Sequence, residues 1–239
     1  MDLRGANLFV RYQRFHMISI PTIFRLLSRN VWLASIDLKD AYFHLSIVHY
    51  HRQYLRLQVG GHTYQFKVLP FDLASAPHVF TKCMAVVAAH LRLQGVMVFP
   101  FIDDWLLVEN SCEGLKEHVR LTLQLLRSPG LEVNFKKSKL RPSQRVEFLS
   151  TLLDSRESSA YFAPHRVLSI REAALRFCHK RCHRARVVQK LLGHMASSTA
   201  VLPLARFHMK PLQVLFLENF NLHLHRPDRQ MWAPRSILA

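Results

Sequence analysis

The sequence predicts an α+β fold, and three observations carry that prediction. Segments with strand-like alternation bounded by turn signals run to about residue 155. Stretches with apolar residues three and four apart interrupt them, and beyond Pro164 only the helical spacing remains. With 239 residues, 49% of them hydrophobic and only 7 of them glycine, the chain can bury a proper core, in one large domain or two small ones. "DSRESSAYFAP" is the best boundary candidate, which divides the chain into residues 1–157 and a helical region, 158–239. No period of 20 to 50 residues repeats.

In chain order, "VWLASIDLKDAYFHLSI" (31–47) reads as a strand that ends around Asp37 and passes through a charged turn into β-like or short helical structure. "QYLRLQV" and "HTYQFKVLP" flank Gly60 and Gly61, a two-glycine hairpin signal. Ser75 is placed to cap a helix with Pro77 in its first turn, and apolar residues from Val79 to Leu91 follow at mixed three- and four-residue steps until Gly95. "PFIDDWLLVEN" (100–110) reads as two short strands around a turn. "SCEGLKEHVRLTLQLLRSPG" is a second helix, capped by Ser111 and ended by Pro129 and Gly130. "LEVNF" and "RVEFLSTLLD" are strand candidates. "HRVLSIREAALRFCHK" and "ARVVQKLLGHMASSTAVL" are helices, the second ending at Pro203.

Charge narrows the function. Lys and Arg number 33 against 16 Asp and Glu, a net +17 with a pI near 10.4, which points to a polyanionic partner. After Glu157 the only acids are Glu172, Glu218 and Asp228, against thirteen Lys or Arg, so the last third is suited to gripping phosphates. No stretch approaches the roughly 18 to 20 apolar residues of a membrane span, and the N-terminus lacks the apolar core of a secretory signal. An intracellular protein with no membrane contact is expected. Cys83, Cys112, Cys178 and Cys182 do not suggest a disulfide framework. "FCHKRCHRA" sets Cys178, His179, Cys182 and His183 at helical spacing that would suit zinc, without a second ligand cluster.

Asp103 and Asp104 stand side by side in an apolar run, where an unpaired buried carboxylate is costly. At a hairpin tip both can point at one object, and a divalent cation is such an object. Asp37 follows "LASI" as Asp103 follows "FPFI", an acid at the end of an apolar strand in both cases. Two such strands side by side would gather three carboxylates, the equipment of two-metal phosphoryl transfer. A metal-dependent nuclease would use the same groups.

"SIDLKDAYFHLSI", "LPFDLASAPHVFTK", "FIDDWL", "GLEVNFKKSKL" and "VEFLSTLLD" occur in the order of the reverse transcriptase motifs. The chain resembles the polymerase domain of retrotransposons, most closely the DIRS-type elements. The resemblance implies a right-hand polymerase: a palm with antiparallel sheet and flanking helices, partial fingers within 1–157, and a basic helical thumb or connection region over 158–239. It implies Mg²⁺ as cofactor, two ions with Mn²⁺ as a substitute, and as partners an RNA or DNA template with primer and deoxynucleoside triphosphates. Asp37 and Asp103 would hold the metals, with Asp104 beside them. Tyr42 would exclude a ribose 2′-OH by its bulk, Phe71 would join it in the nucleotide pocket, Arg4 in "DLRGAN" would meet the triphosphate, and Lys137 in "NFKKSKL" would stand near the leaving pyrophosphate.

The chain departs from the family at three places. Asp72 replaces the glycine of "LPFGL" and sets bulk and charge beside the nucleotide. Phe101 replaces tyrosine, and Ser150 stands where glycine is usual. The finger strands that normally precede "DLRGAN" are expected to be missing. A ribonuclease H domain needs about four carboxylates, and Glu172, Glu218 and Asp228 are too few and too scattered to make one. Two readings result: an RNA-directed DNA polymerase, or a catalytically inactive remnant that only binds nucleic acid.

Overall fold

Two short helices come first along the chain, α1 (Arg4–Asn7) and α2 (Ile20–Leu26). The computed structural model describes residues 3–11, 13–202, 204–221 and 228–234. Ser19 caps α2 through Thr22 N–H, and Pro21 occupies its first turn, where a missing N–H costs nothing. The sequence "WLASID" then forms β1 (Trp32–Asp37), which leads through Leu38 into a tight 3-10 turn, Ala41–His44. Gly60 and Gly61, both at positive φ (55° and 81°), join β2 (Arg56–Val59) to β3 (His62–Gln65) as the glycine pair foretells.

Helix α3 (Ala76–Leu93) buries Ala76, Phe80, Met84, Ala88 and Leu91, a stripe at three- and four-residue steps, and Gly95 at φ 81° stops it. Ser75 does not cap this helix with its side chain. The hairpin of β4 (Met97–Phe101) and β5 (Asp104–Glu109) follows, then α4 (Cys112–Arg127), whose first turn Ser111 does cap, its Oγ accepting from Gly114 N–H at 3.0 Å. "LEVNF" is not a strand. It makes one isolated bridge, Leu38 to Val133, through Asn134 N–H to the Asp37 carbonyl and Lys39 N–H to the Glu132 carbonyl, while Glu132 N–H donates to the His44 side chain at Nε2. The strand lies further on, as β6 (Lys139–Ser143).

β4, β5, β1 and β6 form one antiparallel sheet in that order. Successive side chains along a strand alternate faces. Ala34, Ile36 and Leu38 of the β1 segment, with Trp105 and Leu107 of β5, join the core that includes the buried residues of α3 and α4. Asp37, directly opposite Asp104 in register, therefore lies on the other face.

"RVEFLSTLLD" is two strands, β7 (Arg145–Phe148) and β8 (Thr151–Asp154), separated by Leu149 and Ser150 at φ 50° and 57°. With β9 (Ser159–Phe162) they make a three-stranded sheet. The chain divides into two compact units, Met1–Leu149 with Leu153–Ser159, and Ser150–Leu152 with Ala160–Ala239. The second contains α5 (Pro164–Cys178), β10 (Cys182–Arg184), α6 (Ala185–Ser198), α7 (Ala205–Asn219) and β11 (Gln230–Trp232). Phe177, Val188, Leu191, Leu212, Leu215, Phe216 and Met231 contribute to its core. Helix α7, with Pro211 inside it, and the β10–β11 pair go beyond the two helices expected there. Pro203, the expected helix end, lies outside the described residues.

Candidate active site

The strand pairing that sets Asp37 opposite Asp104 also lets Leu38 N–H donate to the Asp103 carbonyl at 2.8 Å. All three acids thus sit where the end of β1 meets the tip of the β4–β5 hairpin. Ile102 and Asp103 form that tip, and Ile102 holds φ at 53°, a value glycine adopts easily and a β-branched residue resists. Such strain costs about 1 to 3 kcal/mol and needs surrounding structure to sustain it. Here the buried flanks Phe99, Trp105 and Leu106 supply that support.

The carboxylates feel one another. Burial, then the charges of Asp103 and Asp37, push the Asp104 carboxyl up from 3.8 to about 6, with Lys137 opposing. Asp37 is also raised, first by burial and then by Asp103, while Lys137 and a hydrogen bond from the Asn134 side chain pull it down. The Lys137 ammonium is 4.0 Å from Asp37 Oδ2. The loop that bears it is fastened to β1: Asp37 N–H donates to Ser138 Oγ at 3.0 Å, Ser138 Oγ donates to the Asn134 carbonyl at 2.8 Å, and Asn134 N–H donates to the Asp37 carbonyl at 2.8 Å. Sequence reasoning named Lys137 and missed Asn134 and Ser138. The signal for them was a small hydroxyl and an amide bracketing the two lysines of "NFKKS".

Tyr42 is buried beside Phe71 and Phe80, with ring centroids at 5.0 and 5.5 Å, and burial with the charge of Asp103 raises its phenol. Its environment is thus core on one side and carboxylate on another. Phe71, more exposed, also meets Phe43 edge-on at 4.9 Å. Asp72 follows at φ 59° in a turn closed by Leu73 N–H to the Phe71 carbonyl at 2.7 Å. Asp72 and Ser150, the two positions where the resemblance leads one to expect glycine, both hold left-handed backbone, which glycine adopts at little cost. Arg4 lies on α1, away from β1 in sequence. Asn7 of the same helix bonds the Asp72 turn.

Among the described residues, no three His, Cys, Asp or Glu side chains close into a ready-made metal cage. The acids nevertheless suit a hard divalent ion that takes part of its shell from water and phosphate. The charge of Asp103 helps to raise both Asp37 and Asp104, and a cation would relieve that repulsion. Zinc at "FCHKRCHRA" does not fit. The helix ends at Cys178, Cys182 and His183 lie on β10, Cys182 Sγ donates to Gln230 Oε1, and the His183 ring bonds the Lys180 carbonyl and stacks on Phe177 at 4.4 Å.

Residues 8–153 match the family described as reverse transcriptase (RNA-dependent DNA polymerase). The chain belongs to the reverse transcriptase family. Protein P of duck hepatitis B virus (isolate Shanghai/DHBVQCA34) is 23% identical over 216 residues, which is 89% of this chain and 26% of that protein. The retrovirus-related Pol polyprotein from transposon gypsy of Drosophila melanogaster is 25% identical over 173 residues, 72% of this chain and 16% of the relative. The chain thus spans about a quarter or less of the curated relatives it matches. Among solved structures, the foamy viral protease-reverse transcriptase in complex with RNA/DNA hybrid superposes with a TM-score of 0.74 at 18% identity, covering 92% of this chain and 28% of that one. A form of that enzyme in complex with dsDNA gives 0.76 at 18% identity, covering 99% of this chain and 39% of that one. The reverse transcriptase fold, a polymerase palm of mixed helix and antiparallel sheet, is thereby shared. No helix of the described residues is long and apolar enough to cross a membrane.

Proposed function

We propose that this chain is the polymerase domain of a retrotransposon, of DIRS type by the order and wording of its motifs, and that it extends a primer 3′-OH with deoxynucleotides on an RNA template inside the cell. The observation that carries the reading is geometric: β1–β5 pairing sets Asp37 opposite Asp104, Leu38 N–H bonds the Asp103 carbonyl, and the Lys137 ammonium stands 4.0 Å from Asp37. Asp37 and Asp103 would hold two Mg²⁺ or Mn²⁺ ions, with Asp104 beside them. Such ions lower the pKa of the attacking hydroxyl and steady the leaving pyrophosphate. The Lys137 ammonium offsets charge that develops on the phosphates, and Arg4 does the same from the fingertip side. Tyr42, held by Phe71 and Phe80, presents bulk where a ribose would carry its 2′-OH.

Residues 1–157 take the parts of palm and partial fingers, and 158–239 the part of a basic thumb that grips phosphate backbones. The foamy viral relatives were solved on RNA/DNA hybrid and on dsDNA, which supports a template–primer as the partner. The test is primer extension by the purified chain on a homopolymer RNA template with Mg²⁺ or Mn²⁺. Asp103→Asn should abolish nucleotide addition and leave nucleic-acid affinity unchanged or slightly higher. Affinity for primer–template with no extension by the parent chain would establish the inactive remnant instead.

A further inference from the structure

Both polar groups of the Asn7 side chain are spent on one turn that is 65 and 67 positions away. Asn7 Nδ2 donates to the Asp72 carbonyl at 2.8 Å, and Asn7 Oδ1 accepts from Ala74 N–H at 2.8 Å. The turn needs outside support. Asp72 is left-handed, Leu73 N–H closes a cramped ring on the Phe71 carbonyl, and Ser75 contributes no side-chain cap to the helix that follows. On one side of this turn Leu73 enters the core that also holds Leu3, just before α1. On its other side Phe71 lies against both Tyr42 and Phe43.

We propose that Asn7 is a positioning residue of the nucleotide pocket: its amide ties α1, which carries Arg4, to the Phe71–Ala74 turn, and through Phe71 it sets how far Tyr42 reaches toward the incoming sugar. The proposal rests on the polymerase reading given above. The match is one of chemical order, since the turn offers a carbonyl and an N–H, and an amide offers a donor and an acceptor in the same spacing. An aspartate of equal size would set an oxygen against the Asp72 carbonyl and lose the donor. An alanine would lose both bonds and leave the strained turn to relax.

The experiment compares the full chain with Asn7→Ala and Asn7→Asp. It measures single-nucleotide incorporation with deoxy- and ribonucleotides, primer–template affinity by anisotropy, thermal melting, and hydrogen exchange of the 71–74 amides. In both variants the KM for deoxynucleotide should rise about five- to tenfold, the lower end of what two hydrogen bonds carry, because water reaches both. The preference for deoxy- over ribonucleotide should fall, primer–template affinity and kcat should stay within about twofold, and the 71–74 amides should exchange faster. An Asn7→Asp variant that keeps the parent's KM, discrimination and exchange overturns the proposal, as does a joint fall of kcat, affinity and melting temperature, which would mark a purely structural residue. If the parent chain extends no primer, the polymerase reading fails on its own. The exchange measurement then still decides the clamp, and unchanged exchange at 71–74 refutes it.

Discussion

Asp104 answers to pH in a direction that can be worked out. Its folded value, about 6, lies above the 3.8 of an ordinary aspartate, and burial leads the causes, followed by the charges of Asp103 and Asp37. Between those values the folded chain holds a proton that the unfolded chain has released, so the stability of the metal-free protein falls as pH rises from about 4 to about 6. Below that window the penalty is absent, and above it the penalty is complete. Asp104→Asn should flatten the melting curve across this range and raise the melting temperature above pH 6. Thermal melts in chelator at half-unit pH steps check this, and parallel curves for parent and variant would assign the titration elsewhere. Asp72 presents a different case. A carboxylate some 6 to 8 Å from a phosphate repels it by about 2 to 3 kcal/mol at an effective dielectric near 20, and exposure to water reduces that. Asp72→Gly should lower the KM for deoxynucleotides roughly tenfold, more at low salt, and relieve the left-handed backbone at that position. An unchanged KM in a chain that extends primers would remove Asp72 from the nucleotide's surroundings.

At the scale of elements, the site depends on one loop as much as on two strands. The buried Ser138 hydroxyl accepts from the backbone of Asp37 and donates to Asn134, so it closes the loop that sets Lys137 near the carboxylates. Ser138→Ala leaves the Asp37 N–H unpaired and should cost about 1 to 2 kcal/mol of stability. Chemical denaturation measures it, and a loss below a few tenths would mean that water replaces the hydroxyl. The hairpin with its two aspartates, the Gly60–Gly61 turn and the Ser111 cap were legible because each signal acts within four residues. Ser75 misled for the opposite reason, since the turn before α3 is held from Asn7, which no local pattern around residue 75 records. "LEVNF" has the alternation of a strand, but it pairs with the β1 segment only at Val133, and the Glu132 amide goes to the His44 side chain. β6 carries Lys139, Arg141 and Pro142, which masked it, and the bend inside "RVEFLSTLLD" was hidden because a serine stands where a glycine would have marked the turn.

For the molecule as a whole, charge sets how a partner is met. With thirteen Lys or Arg against three acids after Glu157, the second unit would neutralise backbone phosphates without reading bases. If about five phosphates are engaged, log K for duplex should fall with log salt at a slope of roughly −4 to −5. Titration by anisotropy over a salt series measures it, and a flat response would assign the basic surface to another purpose. The order of the central sheet has a consequence of another kind. Its outermost strands are β4 and β6, and each contains a proline, Pro100 in one and Pro142 in the other, while the β1–β6 register is broken by a shift between Leu33 and Ser35. A proline denies an incoming strand one amide donor, and an irregular edge denies it a straight ladder. Both flanks of the sheet therefore resist templated stacking of one copy on the next, which matters for a chain with so many apolar residues during synthesis. Replacing both prolines by valine should leave the fold in place and bring on concentration-dependent fibril growth, visible as light scattering and dye binding, while the parent chain stays dispersed.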